Sequence, residues 1–423
     1  MDFTSFLKQY FETIGLLYSI SWWWAGPIVL FYLFKILWTK YSFNQYLSTL
    51  KWVVLEIKPP RNIERSPRTM EQVFAALHGV WSTPNYINKY IRGQWKQASL
   101  SFEIQGVNGE MHFMIRCERR FRNFVESLIY SQYPEAEIQE VEDYTHSVPK
   151  NTPNAEWDLW GVDFKKSKDS AYPIRTYKYF QEDVTKGMID PLAELADVIA
   201  GLPPGQQIWL QFVVTPEHDK DWQAAVKKVA TKLAGKEVES EPLFVFRFFI
   251  QAWEVIELAF HYIFSSEIEL AAEVKKDEQP LMFKLTPGEQ EIIKAVEESI
   301  AKKGYRTKMR FIYIGRRDGF DRGFLSGVNG SIQQFNDAML NSFVHENETK
   351  TFANYIWVEP RMRFAQRKIF NRYLDRDFDG PTFVMNSEEL ATVYHMPDMS
   401  VLSPAISRVE AKKGGAPINL PIE

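Results

Sequence analysis

The sequence predicts an α+β body behind one N-terminal membrane helix, on three observations. Residues Ile14–Trp38 carry no charge until Lys35. Short alternating runs at Trp52–Ile57, Ser99–Gln105 and Glu110–Cys117 have the two-residue period of strands. Between them, apolar residues recur at helical spacing, as at Met70, Val73, Phe74 and Leu77.

The membrane segment comes first. Twenty-five helical residues extend roughly 37 Å, enough to cross a bilayer with tilt. Trp22-Trp23-Trp24 and Gly26-Pro27 allow a second layout, with residues 3–20 at the interface and a span from Trp22 to Trp38. Asp2, Lys8 and Glu12 precede the run, and Lys35, Lys40 and Lys51 follow it. The positive-inside rule then places the N-terminus outside and the bulk of a single-pass chain in the cytoplasm. The run is too long for a cleaved leader and has no charged n-region.

After this anchor (1–45), residues 46–146 read as βαββαβ. The strand Trp52–Ile57 closes at Pro59-Pro60, and Ser66-Pro67 opens a helix. Two strands flank the turn Gly106–Gly109, a helix at about Arg120–Tyr133 presents Phe121, Phe124, Val125 and Leu128, and Glu137–Val141 is a last strand. That order is the ferredoxin-like arrangement. Residues 147–345 form a second α+β unit. Its strands are expected near Asp158–Phe164, Ile174–Tyr179, Gln207–Thr215 and Lys308–Gly315. Its helices are expected near Met188–Ala200, Lys220–Ala234, Pro287–Lys303 and Ser331–Leu340. The expected fold is thus a tandem of ferredoxin-like domains with a helical insertion at about 236–284. Within the insertion Arg247, Gln251, Glu254, Glu257 and His261 form one polar stripe on an otherwise apolar run, Leu243–Phe264. A buried helix, an oligomerisation helix and a membrane-interfacial segment all satisfy that pattern. Residues 346–423 hold a basic amphipathic helix, Pro360–Leu374, then a strand at Thr382–Met385, a capped helix from Asn386 and a Gly/Pro-rich tail.

A net charge of −4 argues against wholesale coating of nucleic acid. The single cysteine, Cys117, excludes an intramolecular disulfide, and its alternating run reads as a buried strand. The sequence has no G-x-x-x-x-G-K-[ST], no H-E-x-x-H, no zinc-spaced Cys/His pairs and no G-x-S-x-G. No enzyme activity, cofactor or metal is therefore expected, and no catalytic residue is assigned. Two stretches, Arg306–Arg322 and Arg361–Arg376, interleave arginine with Phe311, Tyr313, Phe320, Phe364, Phe370 and Tyr373. Arg316, Arg317, Arg361, Arg363, Arg367, Lys368 and Arg372 are the candidate contacts to nucleic acid or anionic lipid. Charge-balanced solvated faces explain the same residues, since Asp318, Asp321, Asp375 and Asp377 intervene.

Three stretches carry a family resemblance: Glu56–Val80; Phe121–Ile138 with Glu140–Tyr144; and Met385–Pro397 with Asn419–Pro421. They resemble the membrane-anchored N-terminal region of conjugation-type ATPases, the motor and coupling proteins of bacterial type IV secretion systems. In that family the region precedes a nucleotide-binding motor, whose motifs are absent here. The resemblance implies a stand-alone, non-catalytic adaptor subunit docking to a separate secretion ATPase or to channel subunits. It implies a partner-facing connector at Asn386, Glu388, Glu389, Leu390 and His395, although a helix cap and turn would account for these residue types. Membrane lipid and further copies of the chain are the other expected partners. The alternative expectation is a membrane-tethered nucleic-acid-binding protein.

Overall fold

The computed structural model describes residues 3–60, 66–94, 97–180, 189–234, 286–378, 380–399, 401 and 403–408; side chains of 3–12, 14, 16–18, 20–25 and 90 lie outside the description. The predicted insertion helix at 243–264 and the tail at 412–423 lie outside the described residues.

Nine strands form one sheet: β1 (Trp52–Lys58), β2 (Leu100–Val107), β3 (Glu110–Glu118), β4 (Glu137–Val141), β5 (Trp157–Lys166), β6 (Gln206–Pro216), β7 (Gly304–Arg316), β8 (Phe343–His345) and β9 (Phe383–Asn386). Their order is β4-β1-β3-β2-β6-β7-β5-β8, with β9 added to β7, and every paired strand is antiparallel. β7 is long enough to hold three partners. It pairs β6 along one edge, and along the other it takes β5 at Met309–Arg316 and β9 at Gly304–Thr307.

This sheet overturns the expected tandem of ferredoxin-like domains. β2 and β6 pair over eight positions, from Leu100↔Val214 to Val107↔Gln207, and join both halves of the chain in one continuous sheet. The strand orders of the two halves mirror each other about that seam. The physical reason is edge satisfaction: two long apolar strands with unpaired backbone groups bond to each other rather than face water. The extended segment expected at Ile174–Tyr179 is not a strand either. The Ile174 amide donates to Glu389 and the Tyr177 amide to Thr392, and a 3-10 turn follows at Tyr177–Phe180.

The long helices are α1 (Phe3–Thr49), α2 (Arg68–Leu77), α4 (Arg122–Gln132), α5 (Ala193–Ala200), α6 (Asp219–Leu233), α7 (Pro287–Ile300), α8 (Gly323–Gln333) and α9 (Val358–Asp375). A five-residue α3 (Tyr86–Tyr90) and α10 (Ser387–Val393) complete the set among the described residues. α7 and α10 start at capping boxes, Thr286 with Glu289 and Asn386 with Glu389. The helix expected at Ser331–Leu340 instead occupies Gly323–Gln333, and a turn follows it.

The transmembrane assignment is also corrected. Among the described residues no helix is long and apolar enough to cross a membrane, which removes the basis for a single-pass topology with a cytoplasmic body. The uncharged run ahead of Lys35 is diluted by Thr13, Ser19, Ser21, the Trp22-Trp23-Trp24 cluster and Gly26-Pro27, and Thr39, Lys40, Ser42, Asn44 and Gln45 follow it. About 20 residues are needed for a span. α1 docks by its end: Ser42 is buried, and a Cβ at Gly93 would stand 2.1 Å from the Ser42 carbonyl oxygen.

The sheet has two buried faces. On the first, Phe74 of α2 meets Phe102 of β2 with centroids 4.8 Å apart, and α4, α5, α8 and α10 extend the same core. On the second, α9 lays Ile369, Phe370 and Tyr373 over Trp209, Ile312 and Ile314. Gly161 permits this approach, since a Cβ there would stand 3.1 Å from Ile369 Cγ2.

Candidate functional site

The second face carries charge as well as hydrocarbon. Glu103 of β2 is fully buried and accepts from Ser101 Oγ at 2.5 Å, Tyr144 Oη at 2.7 Å and Gln211 Nε2 at 3.0 Å. Arg376, just past α9, donates to Glu103 and to both oxygens of Asp143. Burial raises the Glu103 carboxyl, but the charge and hydrogen bonds of Arg376 outweigh it, so Glu103 stays below its ordinary range. Beside this group, Asp163 of β5 pairs with Lys308 at 2.9 Å and Arg310 at 3.0 Å, all three buried. Arg310 also donates to the carbonyls of Arg372, at 2.8 Å, and Asp377. The web ties the C-terminal end of α9 to the sheet. Its charges neutralise one another, which makes it a clamp rather than a reacting centre.

The five residues expected in a partner-facing connector, Asn386, Glu388, Glu389, Leu390 and His395, are all buried. Asn386 and Glu389 close their capping box on each other, and Glu389 pairs with buried Lys166 at 2.7 Å. Glu388 accepts from Thr176 Oγ1 at 2.6 Å and from Lys178 and Lys302. His395 Nε2 lies 3.0 Å from Asp190 Oδ1, and its Nδ1 donates to the Ala391 carbonyl at 2.9 Å. These contacts hold α10 in the core, so the five residues carry structural contacts where a partner-facing role was expected. A cavity of about 290 Å³ opens beside it, lined by Lys178, Lys294, Glu298 and Glu388 among others. Its polar groups are largely paired already, Lys178 with both Glu298 and Glu388. Cys117 is buried, and burial pushes its thiol up to about 12, so it is inert.

The basic candidates fare differently. The structure brings the two basic-aromatic stretches together: Asp158 accepts from Gln366 of α9 at 3.0 Å and pairs with Arg317 at 3.3 Å. Arg316 lies over the Trp157 ring at 5.8 Å. Arg361 donates to the carbonyls of Asn354 at 3.2 Å and Ile356 at 3.4 Å, so it shapes the loop ahead of α9. Arg372 is half-buried, and its carbonyl serves Arg310. Arg363, Arg367 and Lys368 are exposed, and among the described residues their one ion pair is a 3.8 Å contact from Arg363 to Glu359. Phe370 and Tyr373 are core residues, and Phe364 alone of the α9 aromatics faces solvent.

The loop that Arg361 shapes escaped the reading of the sequence. Phe352, Tyr355, Ile356 and Trp357 are 62, 93, 71 and 75 % exposed, and Phe364 on the next turn is 69 % exposed. Tyr355 and Trp357 have φ of 70° and 57°, the left-handed region that disfavours bulky side chains. The only sequence signal is an aperiodic apolar run, Tyr355–Val358, between polar residues.

Set against known families, residues 44–409 match the model described as "Domain of unknown function (DUF8128)". The chain belongs to the DUF8128 family. The DUF8128 match begins at Asn44, near the end of α1, and contains the whole sheet, the buried web and the aromatic loop. Curated proteins yield no match. Nothing in these findings supports the type IV secretion or conjugation assignment, which rested on three short stretches. Two of those stretches are accounted for by packing, since α2 and α10 pack against each other in the first-face core.

Proposed function

We propose that this DUF8128 protein is a non-catalytic docking protein, an adaptor that presents the 352–358 loop and the outer face of α9 to a separate macromolecule. One observation carries the reading: two large aromatic residues, Tyr355 and Trp357, are held nearly free of the protein in a costly left-handed backbone. Strain of order 1–3 kcal/mol per residue persists where surrounding structure over-determines it, and it clusters at working sites. Here the determinants are the Arg361 hydrogen bonds to the loop and the ion-pair web that anchors the far end of α9. Tryptophan, tyrosine and arginine are also the side chains that dominate binding energy at interfaces.

The test is a photo-crosslinking amino acid placed at position 364 in the full chain. Its control sits at Glu135, in the exposed turn before β4 at the far edge of the sheet. Adducts in native extracts that form at position 364, and fall away when Tyr355 and Trp357 are changed to alanine, support docking. Equal labelling at both positions would sink it.

A further inference from the structure

We infer that the partner of this surface is a single-stranded nucleic acid. The inference rests on the docking reading and adds the chemistry of the ligand. Two requirements must meet at such a site, cations free to neutralise phosphates and ring faces free to stack on unpaired bases. Arg367 and Lys368 are exposed and enter no ion pair among the described residues. Among the described residues Arg363 pairs, at long range, with the equally exposed Glu359 alone. α9 carries five cations against two carboxylates, in a chain whose net charge is −4, so positive charge is concentrated on this element. The rings of Tyr355, Trp357 and Phe364 are the second requirement. Arg363 and Arg367, like Phe364 and Lys368, are one helical turn apart, so one exposed ring stands among three cations on the outer face of α9.

The same geometry selects against two other anionic partners. α9 buries Ile369, Phe370 and Tyr373 against the sheet, so the face left to meet a ligand is the one with Arg363, Phe364, Arg367 and Lys368. In a duplex the bases are stacked and offer no face to a ring. An acidic protein segment would use the cations but would not need three exposed aromatic faces. Unpaired bases use both.

The experiment is fluorescence anisotropy of the full-length protein with a labelled oligothymidylate across a salt series. Contact with two or three phosphates predicts a slope of log K against log salt of about −1.4 to −2. Trp357→Ala or Phe364→Ala should weaken binding about five- to a hundred-fold. Arg367→Glu with Lys368→Glu should weaken it and flatten the slope by about 1.4. These side chains are solvent-exposed, so an unchanged Tm separates lost binding from lost folding. Absence of binding overturns the inference. So does affinity that Trp357→Ala leaves unchanged, or equal competition by duplex DNA or by polyglutamate. Crosslinks at position 364 to a protein, with no oligonucleotide binding, would retain the docking reading and remove the nucleic acid.

Discussion

Arg376 and Glu103, 273 residues apart in sequence, form a two-armed buried ion pair: Nε meets Oε1 at 3.0 Å and Nη2 meets Oε2 at 3.1 Å. The guanidinium also reaches Asp143, so one side chain joins β2, the segment after β4 and the end of α9. Removing one partner of such a pair leaves an uncompensated buried charge. Arg376→Ala should therefore cost about 3–5 kcal/mol of stability, read as a lowered urea midpoint. A loss below about 1 kcal/mol would place the pair in the class of surface contacts instead.

Asp143 links this web to pH. Burial pushes its carboxyl up, but hydrogen bonds and charge from Arg376 dominate and hold it at about 2, below the ordinary 3.8. A folded-state value below the unfolded one gives stability that is complete above 3.8 and lost as pH falls through about 2. The gap in urea midpoint between the wild type and Asp143→Asn should be widest near neutrality and close across that window. A gap that stayed constant down to about pH 2 would contradict the assignment.

Trp357 separates stability from binding. Its φ of 57° suits glycine, which pays no Cβ penalty there and is tolerated at a helix N-cap. Trp357→Gly should raise stability by about 0.5–1 kcal/mol while removing the docking ring. Thermal unfolding alongside the crosslinking yield reads both effects. A destabilised variant would show that the ring packs on the fold in solution.

Gly93 tests how α1 is held. Its φ is 73°, and an added Cβ would overlap the Ser42 carbonyl at 2.1 Å. Gly93→Ala should cost roughly 1–2 kcal/mol locally and release the end of α1. Faster hydrogen exchange at the amides around Ser42, with sheet amides unchanged, is the expected pattern. Unchanged exchange around Ser42 would mean that the contact does not hold the helix.

The sequence by itself determined the local elements. Alternation in Trp52–Ile57 and Glu110–Cys117, the i, i+3, i+4, i+7 series in α2, and the Asn386–Glu389 cap each concern neighbours a few residues apart. The resulting strand, helix and capping box all form. Such patterns also show which side of an element is apolar, as for Ile369 and Tyr373 on α9. They do not show what an element meets. The β2–β6 seam joins Leu100 to Val214, and no local pattern distinguishes that edge from another strand's. The same limit hid the fate of charge. Glu389 reads as a partner-facing or capping residue and Arg310 as one member of a basic stretch, yet partners far along the chain, Lys166 and Asp163, enclose them. Tyr355 and Trp357 drew no reading from the sequence; their exposure shows only in the fold, where Arg361 hydrogen-bonds the Asn354 and Ile356 carbonyls beside them. Periodicity is written in adjacent residues, whereas edge pairing, burial of charge and ring exposure depend on which distant segments share the same space. Only the tertiary structure decided those.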